Sequence, residues 1–244
     1  MSRPPLSVEP VLQQVARSFE ESVGRLCDLL RIPSVSTDPA YKGDVRRAAD
    51  WLVRELSALG FDASVRETAG HPMVVAHHAG PGDENVPHIL YYGHYDVQPA
   101  EPLELWNSPP FEPAIVEAEH GPRIVARGAV DDKGQVMTFI EAFRAWHAVH
   151  GTLPIRVTVL LEGEEETGSP NLLPFLKANA EELKADVCVI TDTNSWNIET
   201  PAITTRLRGL LYVEATLHGP SHDLHSGMFG GAVLNPINSL THIL

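Results

Sequence analysis

The chain has 244 residues, enough for one large α/β domain or for a domain with part of a second. With 32 acidic against 18 basic side chains and a formal charge of -14, it lacks the lysine and arginine clusters from which nucleic-acid binding draws its affinity. Hydrophobic residues make up 43% of the chain with no apolar run long enough to cross a bilayer, so neither nucleic acid nor membrane is an expected partner.

The opening Met1-Ser2-Arg3-Pro4-Pro5 has no apolar segment followed by a small-residue cleavage site. The two cysteines, Cys27 and Cys188, suit buried thiols in a reducing compartment better than a disulfide framework, and the expected location is the cytoplasm. Val11, Val15, Phe19, Val23, Leu26 and Leu30 recur at three- and four-residue steps, forming one face of an amphipathic helix that Ile32-Pro33 ends. A second stripe, Val45, Ala49, Leu52, Leu56 and Leu59, closes at Gly60, the residue expected just beyond a helix C-terminus. Strand signals follow at Ala63 to Arg66 and Met73 to His77, and the apolar run His88 to Tyr92 reads as a buried central strand. Residues 99 to 113, rich in Pro and acidic side chains, read as a surface loop, after which Ala114 to Val116 and Arg123 to Ala126 pair as a hairpin across Glu119-His120-Gly121.

Helix returns with Val136, Ile140, Phe143 and His147 and closes at Gly151. Ile155 to Leu161 is a second buried strand, and a further helix leads to a strand at Val187 to Ile190. Strands alternating with helices predict an α/β fold with a mostly parallel sheet flanked by helices, in which ligands bind beyond the carboxyl ends of the strands. Around Thr204 the pattern changes: Leu210 to Leu217 reads as a strand, a Gly- and His-rich loop follows, and Asn235-Pro236 has the form of an N-cap and first helical residue. One domain is expected over residues 1–203 and the start of another over 204–244, where the last helix has no C-cap and no further strands to cover a small sheet.

Four acid-bearing segments fall at the ends of these strands. In Gly93-His94-Tyr95-Asp96 an extended chain turns His94 and Asp96 to the same side, as a metal ligand and the acid that orients it would be. Taken alone, such a pair more often marks a surface histidine beside an acid. Arg127 to Gly134 sets Asp131 and Asp132 side by side at a strand-to-helix junction, where an N-cap explains one acid but not both. Glu162, Glu164, Glu165 and Glu166 crowd the turn after the second buried strand; like charges this close raise one another's pKa unless a cation neutralises them, although a solvated acidic turn has the same sequence. Asp192 follows the strand ending at Ile190, where a plain cap or turn residue is the alternative. Hard or borderline divalent cations are the natural partners of such carboxylate groups.

In order and spacing, Gly93 to Pro99, Trp106 through Pro109-Pro110-Phe111, Arg127 to Gly134, Glu165 to Ser169 and Asp223-Leu224-His225-Ser226-Gly227 resemble the signature of the M20 metallopeptidases, closest to the cytosolic dipeptidases. The resemblance runs from about the first helix to Leu244 and implies a zinc-aminopeptidase-like catalytic domain followed by the start of an α+β lid and dimerisation domain, truncated at residue 244. It implies two divalent ions, zinc or manganese with cobalt as a further option: His94 and Asp192 on one, Glu166 on the other, Asp131 between them. It further implies a cis peptide at Asp131-Asp132, Asp96 as the orienter of His94 and Glu165 as general base, and leaves Glu164 a bystander. His225 would donate to the substrate carbonyl in the site of a partner subunit, with His218 and His222 beside it as ordinary surface histidines.

Four positive charges against three carboxylates leave room for a hydroxide shared by the ions, the implied nucleophile on dipeptides or short peptides. The family takes one more histidine ligand, and the lid residues that grip the substrate carboxylate, from sequence after residue 244, so these residues alone are expected to hold the second ion weakly and turn over slowly. Two other readings stay open: a deacylase of N-acyl amino acids using the same metal chemistry, and a metal-binding interaction fragment without catalysis.

Overall fold

The computed structural model describes residues 7–83 and 85–244. The first expected helix is two, α1 (Glu9–Arg17) and α2 (Phe19–Leu30), parted at Ser18. Ser18 sits at φ -98° and ψ 12°, and its Oγ donates to the Gln14 carbonyl at 2.9 Å, a local bond that competes with regular helix. α3 (Lys42–Ser57) buries Val45, Ala48, Ala49, Leu52 and Leu56 along one stripe, and Gly60 beyond it takes the left-handed conformation at φ 84°.

The strands are β1 (Asp62–Arg66), β2 (Met73–His78), β3 (His88–His94), β4 (Ala114–Val116) and β5 (Arg123–Val125). After α4 (Lys133–His150) come β6 (Arg156–Glu162), α5 (Leu172–Ala178) and β7 (Val187–Ile190). Five strands form the main sheet in the order β1-β2-β6-β3-β7, and β4 and β5 form the separate hairpin. β3 lies between β6 and β7 and runs parallel to both, with His94 opposite Glu162 and Tyr92 opposite Ile190. The class is α/β as read from the sequence, but the sheet is mixed, because β1 pairs antiparallel with β2 and β2 antiparallel with β6. Residues 67–72, which join β1 to β2, are too few for the crossover that a parallel pair requires.

Helices cover both faces. On one, Leu52 and Leu56 of α3 and Val136 and Ile140 of α4 pack with Tyr91, Val159 and Leu161, all fully buried. On the other, Met73, Val75 and Leu160 meet Leu183, with Leu172 and Phe175 of α5 packed against them. Each such side chain contributes roughly 1.5–3 kcal/mol. The loop over residues 99–113 is braced within itself, where Trp106 Nε1 donates to Ala100 O at 2.8 Å, and is tied to Arg127, which donates to Pro99 O at 3.0 Å and whose guanidinium lies over the Trp106 ring at 5.5 Å. Cys27 is buried, but Cys188 is exposed, against expectation. β7 is the edge of the sheet, pairs only with β3 among the described residues, and is largely uncovered.

The chain divides into two compact units at Pro201 and Ala202. In the second, α6 (Ser226–Phe229) and α7 (Pro236–Ile243) are the helices. α7 begins as its sequence indicates, with Asn235 Oδ1 accepting from Ile237 N at 2.9 Å and Asn238 N at 3.4 Å. The strand expected at Leu210 to Leu217 is absent: the segment is irregular, because strand geometry is held by a neighbour that completes its hydrogen bonds and none pairs with it among the described residues. No helix among the described residues is long and apolar enough to cross a membrane.

One polar cluster ties α2 and α3 to α4. The Glu141 carboxylate, 13% exposed, accepts from Arg25 Nε at 2.7 Å, from a second Arg25 nitrogen at 2.6 Å, from Ser22 Oγ at 2.7 Å and from Arg144 Nε at 3.2 Å, while Arg144 also bonds Glu55. Burial acts to raise the Glu141 pKa, but the bonds from Arg25 and Ser22 and the charges of Arg144 and Arg25 outweigh it and hold it below the usual carboxylate value. A depressed folded-state pKa gives stability that is present above the unfolded value of about 4.3 and is lost as the pH falls through the folded value. Glu141→Gln is therefore expected to lower stability by about 2 kcal/mol in urea unfolding near neutral pH. The difference from the parent should shrink steadily as the measurement is repeated from about pH 5 to about pH 3.

Candidate metal centre

The acids gather where β3, β6 and β7 end. Gly93 allows the close approach this needs, since a Cβ there would stand 2.8 Å from Asp132 Oδ2 and 2.8 Å from Val136 Cγ2. Asp132, buried, uses that space to accept from His94 N at 3.1 Å. Gly128 turns the chain at φ 82°, and the Asp131-Asp132 peptide that follows is cis, as the resemblance implied.

His94 ends β3 and is fully buried. Its Nδ1 lies 3.1 Å from the Asp96 carbonyl oxygen and 3.3 Å from Asp96 Oδ1, two acceptors that place the ring proton on this nitrogen. Nε2 faces Asp131 Oδ1 at 3.1 Å and Asp192 Oδ2 at 3.8 Å. A neutral ring with its proton on Nδ1 has a lone pair at Nε2, and a lone pair turned toward two carboxylates is repelled unless a second proton or a metal cation lies among them. Burial acts to lower the imidazole pKa, yet the bond and charge of Asp96, then the charges of Asp132 and Glu165, push it up to about 10. The pocket thus selects positive charge. Donor atoms of His94, Asp131 and Asp192 all lie within 4.8 Å of one another, and one imidazole with carboxylate oxygens suits zinc, manganese or cobalt, so the residues present fit a divalent ion.

Asp96 is fully buried and joins this trio to the glutamates. Its Oδ1 accepts from Glu165 N at 3.2 Å, and its Oδ2 accepts from Glu166 N at 3.1 Å and Ser36 Oγ at 2.6 Å. Burial raises the Glu165 carboxyl, with the charges of Glu166, Asp192 and Asp96 acting in the same sense and His94 opposing. Glu166 is raised by burial too, and its Oε2 accepts from Gln98 Nε2 at 2.6 Å. Glu166 stands outside the His94, Asp131 and Asp192 trio.

Several residues of the site carry no mark in the sequence. Ser36 lies 60 positions from the Asp96 it bonds. Thr191, beside Asp192, shares a 2.8 Å hydrogen bond with the hydroxyl of the buried Tyr91. Glu164, which the resemblance leaves without a catalytic part, has a structural one: only 4% exposed, it accepts from His71 N at 2.9 Å and from Asn171 Nδ2 at 2.7 Å, closing the loop before β2 against the glutamate turn. Glu162, fully buried, accepts from the Tyr92 hydroxyl and from Ser169 Oγ. Neither belongs to a solvated turn, and the apolar run leading into Glu162 was the one signal of its burial. His225 is in the second unit, exposed, where its Nδ1 accepts from Gly227 N at 3.1 Å and caps α6. That leaves the proton of a neutral ring on Nε2.

Residues 90–214 match the family model described as Peptidase family M20/M25/M40. The Cys-Gly metallodipeptidase of Schizosaccharomyces pombe is 34% identical over 98% of this chain and 52% of its own length. The Beta-Ala-His dipeptidase of Homo sapiens is 31% identical over 100% of this chain and 50% of its own. The solved structure of the dipeptidase Dug1p from Saccharomyces cerevisiae superposes with a TM-score of 0.70 at 28% identity, covering 97% of this chain and 52% of that one. The chain spans about half the length of the curated relatives it matches. The family match takes in the end of β3 with His94, the paired aspartates, the glutamate turn and Asp192 together, and the chain belongs to the M20/M25/M40 peptidase family.

Proposed function

We propose that the protein is a metallopeptidase that cleaves the peptide bond of dipeptides or short peptides. The observation that carries this is a buried His94 whose Nε2 is turned on Asp131 and Asp192. Relatives named for Cys-Gly and Beta-Ala-His dipeptides favour dipeptide hydrolysis over deacylation of N-acyl amino acids. Residues 1–203 would form the catalytic domain and 204–244 part of a lid through which two copies pair. The two free cysteines suit the cytoplasm.

Two divalent ions, zinc or manganese, would supply a nucleophilic hydroxide at neutral pH and polarise the scissile carbonyl. His94 and Asp192 would hold one ion, Glu166 the other, and Asp131 both, with Asp96 fixing the tautomer of His94. Within these residues only Asp131 and Glu166 would be left for the second ion, and they would hold it more weakly than the first. Glu165, its pKa raised by burial, takes one proton of the attacking water and gives it to the departing amine as the C–N bond breaks, while the second proton leaves on the new carboxyl and passes to the free amine as that carboxyl ionises. The Nε2–H of His225, from the partner subunit, donates to the carbonyl oxygen as negative charge develops there.

Zinc loading followed by gel filtration is expected to leave one tightly held equivalent on the 244-residue chain, and none on Asp192→Ala. Two retained equivalents on the parent would contradict the weak second site. In a chain extended to the length of its relatives, chelation should abolish hydrolysis of Cys-Gly and β-Ala-His, and added zinc or manganese should restore it. Faster turnover of acetylated or succinylated amino acids would favour the deacylase instead. Glu165→Gln in the extended chain should lower kcat by about 10²- to 10⁴-fold while metal content stays at the parent level; loss of metal with loss of rate would deny Glu165 its role as base.

A further inference from the structure

Three of the donors around the Asp96 carboxylate belong to the groups that Asp96 would position: the His94 ring and the main-chain N–H groups of Glu165 and Glu166. Donors that move with the groups they hold cannot fix the carboxylate. The fourth, Ser36 Oγ at 2.6 Å from Oδ2, comes from outside the motifs. Ser36 is 8% exposed and sits on a segment anchored along its length. Lys133 Nζ donates to Leu29 O at 3.2 Å and Ile32 O at 2.6 Å upstream of it. Ser34 Oγ donates to Tyr95 O at 2.6 Å, Val97 N donates to Ser34 O at 3.0 Å, and Val35 bridges Val97 in parallel. The Ser36 carbonyl in turn lies 3.0 Å from His71 Nε2.

We infer that Ser36 is a positioning residue for the metal centre, setting the plane of the Asp96 carboxylate and through it both the His94 ring and the Glu165-Glu166 turn. The inference rests on the metal-centre reading. Without the hydroxyl, Oδ2 keeps only Glu166 N at 3.1 Å, and the plane of the carboxylate is less firmly set. The His94 ring then keeps the Asp96 carbonyl at 3.1 Å but loses a fixed carboxylate behind it, and its aim at Asp131 and Asp192 loosens. Outer-shell partners of metal-bound histidines usually change affinity by about 10- to 100-fold.

The test is the zinc dissociation constant of the full chain, measured in competition with a chromophoric chelator, alongside thermal unfolding without metal. Ser36→Ala should weaken zinc binding about tenfold, Ser36→Thr should return it to within about twofold of the parent, and Ser36→Cys, a weak donor of similar shape, should fall between. Ser22→Ala, which removes a bond to Glu141 in the polar cluster away from the site, should lower the unfolding temperature and leave the zinc constant unchanged. The inference is overturned if Ser36→Ala and Ser36→Cys bind zinc as the parent does, if Ser36→Thr is no tighter than Ser36→Ala, or if Ser22→Ala weakens zinc equally. A parent chain that binds no zinc would overturn the metal centre itself, and this inference with it.

Discussion

A buried imidazole nitrogen directed at two carboxylate oxygens demands a positive charge, and much of the surrounding architecture serves to maintain that confrontation. His94 is held from behind by Asp96 and along its backbone by Asp132, so the ring cannot turn away from Asp131 and Asp192. In water the same three side chains would separate. Here the fold keeps them together, and the free energy of bringing like charges close is what makes the place receptive to a cation.

Parallel strands are what allow residues so far apart in the chain to meet. β3, β6 and β7 end side by side, so the residues that follow each strand emerge at the same edge of the sheet. The antiparallel pairings of β1 and β2 extend the other side and supply no candidate ligand. Their part is indirect: the loop between them brings His71 to Glu164, which braces the glutamate turn from beneath.

Much of this was legible because regular periodicity reports burial. The stripes of α3 and α4 and the apolar runs of β3, β6 and β7 marked the elements, and acids directly after strands marked the candidate ligands. Where contacts between segments decide, periodicity is silent or misleads. Ser18 breaks a helix whose apolar stripe runs straight through it, since the competing bond is made by a side chain that the pattern counts only as polar. Cys188 lies in an apolar run yet is exposed, because the burial of an edge strand depends on neighbours that its own residues do not encode. Leu210 to Leu217 has strand composition without a pairing partner. Ser36, Thr191 and the bracing role of Glu164 depend on contacts between distant segments, which no spacing rule within one segment can reveal.

Tyr91 has two duties that usually fall to separate residues. Its ring stacks on Phe139 of α4 with centroids 4.2 Å apart and planes inclined by 8°, while its hydroxyl shares a hydrogen bond with Thr191, next to Asp192. An aromatic seat deep in the interior is thereby geared to the loop that carries a candidate ligand. A change of side-chain volume on the inner face of α4, with no charge altered and nothing near the surface disturbed, would tilt the phenol and carry that loop with it. The packing of this protein's interior thus reaches as far as the acids of its candidate metal centre.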